Sequence, residues 1–332
     1  MRNILFIMNP KAKGGKGTDL TSILNVFSAE GCRTEVYISQ SAGDITERVP
    51  EIAEGHDVVV SCGGDGTMNE VVTGLMRIPE EKRPALALIP AGTTNDLAHS
   101  HNIPDDFREA AKIAATGSVG HIDIGSLNQS RYFEYVAGFG MFTDISYSVG
   151  SAAKSAMGYP AYLLAGSAGL LNMTSIRVRL TTDEGVFEDD IMVCLITNAT
   201  QVAGFKDVTG YDVDMNDGEF EIMIIYRPKN IYEFTEAVDA LLNLKKYRLI
   251  KRIKTAHAHF EFETPTAWTL DGEYGGTYTS VDVDNLHSAV RIVEGVPGVK
   301  GKPVASSIIN NMLAGLAGNL SLLDRTGGTE GP

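Results

Sequence analysis

The sequence predicts an α/β protein built in two parts: a doubly wound domain over residues 1–125, then a β-rich, sandwich-like domain over residues 126–298. Three observations predict it. Up to residue 125 strand-like and helix-like patterns alternate strictly, with short connections. Beyond Gly125 short apolar runs bounded by turn residues take over. Within the first of these parts stands Gly63-Gly64-Asp65-Gly66-Thr67, a glycine turn leading from a β-branched run (Val58, Val59, Val60) into a helical one (Val71, Val72, Leu75, Met76).

Taken in order, residues 4–8 form the first strand. Leu20, Ile23, Leu24 and Phe27 at helical spacing predict a helix over 18–30 that stops at Gly31. Residues 34–38 are the second strand; Asp44, with Glu47 three residues on, caps a helix that Pro50 kinks or shortens. Strands follow at 57–62 and 85–89, a helix at 107–115 and a strand at 122–124. Such alternation implies a parallel sheet covered on both faces. In the second half, strands are expected at 132–137, 175–181, 191–196, 220–226, 253–263, 268–270 and 281–283, with helical passages near 159–171 and 231–244. Ile308, Ile309, Met312, Leu313, Leu316, Leu320 and Leu323 form one helical stripe that packs back on a core. Residues of about 299–325 are therefore assigned to the first domain, and 326–332 to a disordered tail.

The 332-residue chain carries a net charge of −14, which argues against nucleic acid as a partner. Its 3 cysteines, Cys32, Cys62 and Cys194, are widely spaced and lie near apolar runs. They read as reduced core residues of a cytoplasmic protein. The apolar run at residues 4–8 stops at Asn9-Pro10 and fits a core strand better than a signal segment. Residues 161–171 contain Gly166 and Ser167 and are too short to span a bilayer. Lys245, Lys246, Arg248, Lys251, Arg252 and Lys254 form a basic run, read either as a solvated face or as a patch touching anionic membrane transiently.

Bare N–H groups at a helix start favour phosphate, and Asp65 inside such a cradle would repel it unless a cation such as Mg²⁺ lay between. Asp96, in Pro90-Ala91-Gly92-Thr93-Thr94-Asn95-Asp96, follows the next strand, and Asp123 lies in His121-Ile122-Asp123-Ile124-Gly125. In a doubly wound sheet ligands gather beyond the carboxyl ends of the strands, where these three carboxylates converge. Singly, each reads as a cap or turn residue. Gly15-Lys16-Gly17-Thr18 has the wrong spacing for a P-loop, and Gly-Gly-Asp-Gly-Thr is not a dinucleotide fingerprint. His99, His101 and His121 read as surface or cap histidines, and Trp268 as core.

Asn9-Pro10, the Gly63–Glu70 turn, the Pro90–Asp96 segment, Ile122-Asp123-Ile124-Gly125 and Leu270-Asp271-Gly272-Glu273 occur in one order. That order closely resembles the bacterial soluble diacylglycerol-kinase-like lipid kinases, relatives of the sphingosine kinases and, through Gly-Gly-Asp-Gly-Thr, of the NAD kinases. The resemblance implies an NAD kinase/diacylglycerol kinase-like fold with ATP bound to the first domain and a lipid alcohol as acceptor. It implies nucleotide contacts at Asn9, Lys11, Ser39, Gly64, Gly66, Thr67, Asn69 and Thr93, Ser39 being placed by its distance from Gly43. Asp65, Asp96, Asp123 and Glu273 match a carboxylate and water network around catalytic Mg²⁺. Asp271 matches the general base, although one residue separates it from Glu273 and the two labels are interchangeable. Asp214-Met215-Asn216-Asp217-Gly218-Glu219 resembles a structural Mg²⁺ loop, with Asp217 donating its side chain and Asp214 and Glu219 their carbonyls; by itself it reads as a hairpin turn.

The resemblance further implies a peripheral, transient membrane contact and a homodimer. This chain departs from the family at Leu97, where an aromatic is common, and at residues 151–171, where Lys154 is the lone cation. Two other readings stand beside the lipid kinase: an NAD kinase-like enzyme for a soluble acceptor, and a catalytically silent nucleotide-binding regulator.

Overall fold

The computed structural model describes residues 1–10, 20–92, 95–140, 175–199, 201–202, 205–206, 213–230, 232–233, 236–237, 240 and 245–295. Lys11, Thr93, the helical passage at 159–171, most of that at 231–244 and the stripe at 308–323 lie outside them.

The first half is β1 (Asn3–Met8), α1 (Leu20–Ala29), β2 (Arg33–Ile38), α2 (Asp44–Ile52), β3 (Val58–Gly63), α3 (Asp65–Leu75), β4 (Ala85–Pro90), α4 (Asp96–Ser100) and α5 (Phe107–Thr116). The strands pair in parallel in the order β2-β1-β3-β4. Right-handed crossovers in that order put α1 on one face of the sheet and α2 and α3 on the other. Accordingly α1 packs on α5, and α2 on α3. Every residue of β3 and β4 is buried, as their unbroken apolar runs require in a sheet covered on both sides.

Asp44 does not cap α2 as expected. It is the first helical residue, and its carboxylate accepts from Gln40 N and Tyr37 Oη. The cap comes from Glu70 on α3, whose two oxygens accept from Gly43 N (3.0 Å) and Ile45 N (3.2 Å). The residue at the cap position, Gly43 (φ 79°), has no side chain to offer those amides. Pro50 sits inside α2 and withholds the N–H that Thr46 O would accept; Arg77 Nη1 reaches that oxygen instead, at 3.5 Å.

The second half adds β5 (Ser118–Leu127), β6 (Arg131–Phe133), β7 (Val136–Gly140), β8 (Ile176–Thr182), β9 (Gly185–Thr197), the short pair β10 (Gln201–Val202) and β11 (Phe205–Lys206), β12 (Phe220–Tyr226), β13 (Ile250–Thr255), β14 (His257–Leu270) and β15 (Glu273–Glu294). Its pairings are antiparallel, save where the end of β15 joins β4 at Ile292↔Leu86. That junction runs the two halves into one sheet of 13 strands among the described residues. The single strand expected at 253–263 is two: Thr255 Oγ1 bonds Asp183 Oδ2 and His257 O, and the chain leaves β12 for β8 and β15 at that point.

Each half has its own core. Ile4, Phe6, Phe27, Val60 and Leu88 belong to the first, which also takes Val290, Ile292 and Val293 from the end of β15. Phe139, Phe260, Phe262 and Trp268 interlock in the second, with ring centroids 5.0–6.3 Å apart. The cysteines are free, Cys62 and Cys194 buried. No helix among the described residues is long and apolar enough to cross a membrane.

Candidate functional site

The glycine turn is built by close approach rather than by unusual dihedrals. Gly64 has φ −95° and ψ −174°, extended backbone open to any residue. A Cβ on Gly64 would meet Gly92 Cα at 3.1 Å, and one on Gly92 would meet Gly64 Cα at 2.6 Å. The loops after β3 and β4 thus cross back to back, and only glycine allows it. A Cβ on Gly63 would strike Thr67, whereas one on Gly66 meets nothing within 4 Å, leaving open space against the first turn of α3.

Onto that turn the structure gathers several of the expected residues. Asn9, just past β1, donates through Nδ2 to Thr67 Oγ1 at 3.1 Å. Ser39, past β2, is buried, its N–H bonded to Met8 O. Asn95 (φ 53°) turns its Oδ1 to Gly92 N at 2.8 Å, setting Asp96 at the start of α4 and burying it. Asn69, one helical turn beyond Asp65, donates to Tyr132 O, Glu134 Oε1 and Asp271 Oδ2 at 3.0–3.2 Å.

Asp271 (φ 48°) occupies the turn between β14 and β15 and is 4% exposed. Its Oδ1 accepts from Tyr135 N (3.1 Å) and Val136 N (3.0 Å), and its Oδ2 from Glu134 N (2.9 Å) and Asn69 Nδ2. Tyr135 Oη donates to its carbonyl, and its own N–H to Val136 O. One carboxylate therefore ties α3, the β6–β7 link and the β14–β15 turn together. Every lone-pair direction of a carboxylate with four donors is taken.

Glu134, a residue the sequence reading missed, lies beside it, 1% exposed. Burial, then the adjacent Asp271 and more distant Asp65, push its pKa well above the usual carboxylate range. Burial raises Asp271 too, while the Glu134 carboxyl and then the peptide N–H groups hold it down. Glu134, with no peptide donor among these contacts, is held the more strongly toward its neutral form. Tyr135 is raised by burial first and then by the charges of Asp65, Asp271 and Asp96. Nothing in Phe133-Glu134-Tyr135 marked Glu134 in the sequence, because a single Glu in a strand normally faces water.

Two expected members stand differently. Asp123, fully buried on β5, spends its carboxylate on Gly218 N (2.6 Å), Ser288 N (2.7 Å) and His287 Nδ1 (3.0 Å). It braces the 214–219 loop. Glu273 opens β15, exposed, on a cavity of about 280 Å³ that Asn69, Glu70, Arg131, Tyr132 and Tyr274 also line. His101 is buried beside Glu294, contrary to the surface role expected, and His99 bonds Asp105.

The hard oxygen donors around Asp65 and Asp96, the open space at Gly66 and the helix start fit a divalent cation with a phosphate. Among the described residues no three His, Cys, Asp or Glu side chains are gathered at ligand distance. In the 214–219 loop the donors do not fit: Asp217 Oδ2 is 2.5 Å from Lys254 Nζ, and its Oδ1 accepts from Glu219 N.

Comparison with known proteins comes to the same place. Residues 3–127 match the family described as the diacylglycerol kinase catalytic domain. A diacylglycerol kinase of Bacillus subtilis (strain 168) is 34% identical over 279 residues, covering 82% of this chain and 90% of the relative. One from Staphylococcus carnosus (strain TM300) is 32% identical, covering 77% and 83%. The crystal structure of a diacylglycerol kinase from Bacillus anthracis str. Sterne superposes with a TM-score of 0.74 at 26% identity, covering 90% of this chain and 98% of that one.

Proposed function

The chain belongs to the diacylglycerol kinase family of lipid phosphotransferases, and on that premise we propose that it transfers the γ-phosphate of ATP to the hydroxyl of a diacylglycerol or related lipid alcohol, with Mg²⁺. The observation that carries this reading is the 3.0 Å hydrogen bond from Asn69 Nδ2 to Asp271 Oδ2, which sets the β14–β15 turn one helical turn from Asp65, beside the Gly64–Gly92 crossing at the helix start where phosphate binds best. Bound there, Mg²⁺ would neutralise charge on the phosphate oxygens. Asp65 and Asp96 are its ligands in this proposal, through water where distance demands, and Asn9, Ser39, Gly64, Gly66, Thr67 and Asn69, with Lys11 and Thr93, position the nucleotide.

For the proton of the acceptor hydroxyl, the hydrogen bonding favours Glu273 over Asp271. A general base needs a lone pair facing substrate. Asp271 has its oxygens turned to four donors in the interior, whereas Glu273 stands exposed on the cavity. Asp271 then serves as the clamp that holds Asn69 and the β6–β7 link against the β14–β15 turn. Asp123 acts one step further out, by fixing the 214–219 loop.

A lipid acceptor requires a passing contact with a membrane surface. The basic run is a weak candidate for it: Lys254 pairs with Asp217, Arg248 with Glu233, and Lys251 lies over the Phe187 ring at 3.1 Å. A cytoplasmic location and a homodimer belong to the same proposal, and sedimentation equilibrium checks the second. The test of function is γ-labelled ATP with Mg²⁺, offered a diacylglycerol in mixed micelles beside NAD. Label in the organic phase supports the reading; label on NAD, or on neither, refutes it.

A further inference from the structure

The 214–219 loop sits against β12 and β13 and carries turn bonds of its own: Asp214 Oδ1 accepts from Asn216 N and Asp217 Oδ1 from Glu219 N. Its place is fixed from the first half of the chain, because Asp123 takes Gly218 N and Asp123 N donates to Met215 O (2.9 Å). Ser288 Oγ holds Asn216 from the other side. What balances the loop's charge is Lys254 on β13. Its Nζ lies 2.5 Å from Asp217 Oδ2, 3.7 Å from Glu219 Oε2 and 3.8 Å from Glu221 Oε1.

Glu221 stands directly opposite Lys254 in the β12–β13 register and is fully buried, with no hydrogen-bond partner on either oxygen. A buried carboxyl left without a hydrogen bond needs a cation close by, and the ammonium is that cation. Three acidic side chains thus face one point, and an amino group occupies it. A divalent ion would ask for about six oxygens near 2.1 Å for Mg²⁺, or more at longer range for Ca²⁺. With Lys254 in place, the one side chain that the resemblance gives the metal is already taken: Asp217 holds the ammonium on Oδ2 and Glu219 N on Oδ1.

We propose that Lys254 is a built-in cation: its ammonium substitutes for the divalent ion that the family resemblance implies at Asp214, Asp217 and Glu219, and it fixes the loop that braces Asp123. Among the described residues of the second half the 214–219 loop then has no structural metal requirement, and divalent ions matter at the Asp65 cluster. This inference does not depend on which acceptor is phosphorylated, or on any phosphorylation at all.

The experiment is Mn²⁺ binding by isothermal titration without nucleotide, followed by thermal melts in EDTA and in Mg²⁺. All variants carry Asp65→Asn to silence the other cluster. In that background, adding Asp217→Asn is expected to remove no Mn²⁺ event. Lys254→Gln is expected to gain one Mn²⁺ site that Lys254→Gln/Asp217→Asn lacks, and its melting temperature should fall in EDTA and recover in Mg²⁺. Lys254→Arg keeps the charge and should behave as its parent. The proposal is overturned if Asp217→Asn alone abolishes a Mn²⁺ event, or if folded Lys254→Gln gains none. Should Lys254→Gln fail to fold, the Asp217→Asn comparison and the Lys254→Arg melts still decide the matter.

Discussion

Replacing Asp271 by Asn tests the clamp. The carboxylate serves four donors, two on each oxygen: Tyr135 N and Val136 N on one, Glu134 N and Asn69 Nδ2 on the other. An amide keeps one oxygen and presents an NH₂ in place of the second. Whichever way it turns, two donors lose their acceptor and face N–H groups. Each stranded buried donor costs about 1–3 kcal/mol, so the loss lies at about 2–6 kcal/mol. Removing a buried negative charge next to Glu134 offsets part of this, which places the expectation in the lower half, about 2–4 kcal/mol. A domain of ordinary stability has about 5–15 kcal/mol in all. Urea unfolding reads the loss well, because the chain's one tryptophan, Trp268, is fully buried three residues before Asp271. A clear drop in midpoint supports the clamp. If Asp271→Asn unfolds within about 0.5 kcal/mol of the parent, as ordinary surface changes do, yet transfers no phosphate, Asp271 acts in the chemistry and the reasoning is wrong.

Glu273→Gln should show the opposite pattern: kcat down by about 10²–10⁴-fold, with KM for ATP and the urea midpoint nearly unchanged. Wild-type turnover in that variant returns the proton acceptor to another residue. Gly92→Ala places a methyl 2.6 Å from Gly64 Cα and 2.7 Å from Asn95 Oδ1, so it should cost about 1–3 kcal/mol and raise KM for ATP; unchanged melting and KM would contradict the loop crossing. Burial raises Glu221 from 4.5 to about 7, against the pull of Lys254. A carboxyl raised on folding leaves the folded state holding more protons, so stability is full below about pH 4.5 and falls as pH climbs toward 7, by on the order of 3 kcal/mol. Glu221→Gln should flatten that slope in urea midpoints taken at about pH 4.5 and 8; an unchanged slope excludes Glu221 as its source. Glu70→Ala strands Gly43 N and Ile45 N at the start of α2 and should cost about 1–2 kcal/mol, read by the same unfolding curves.

Much of the frame was legible because it rests on local pattern. Unbroken apolar runs such as Val58–Gly63 announce strands buried on both faces, and the glycine turn announced a strand-to-helix junction. What pattern does not carry is who meets whom across the chain. The cap of α2 comes from Glu70, some 25 residues away in sequence, whereas local pattern alone points to Asp44. Glu134 has no signature because its significance comes from Asp271, which follows it by 137 residues. The Gly64–Gly92 crossing is likewise a contact between two loops, each of which alone reads as a turn. Lys254 looked like one charge in a basic run; only the β12–β13 register sets it over Glu221 and beside Asp217.

The most direct test of the whole account is phosphate transfer from labelled ATP to diacylglycerol by the parent protein and by Asp65→Asn, each checked for an unaltered urea midpoint. The account predicts label in the lipid phase for the parent, and loss of that label with weaker Mn²⁺ binding for Asp65→Asn. An Asp65→Asn enzyme that turns over at the parent's rate would contradict it.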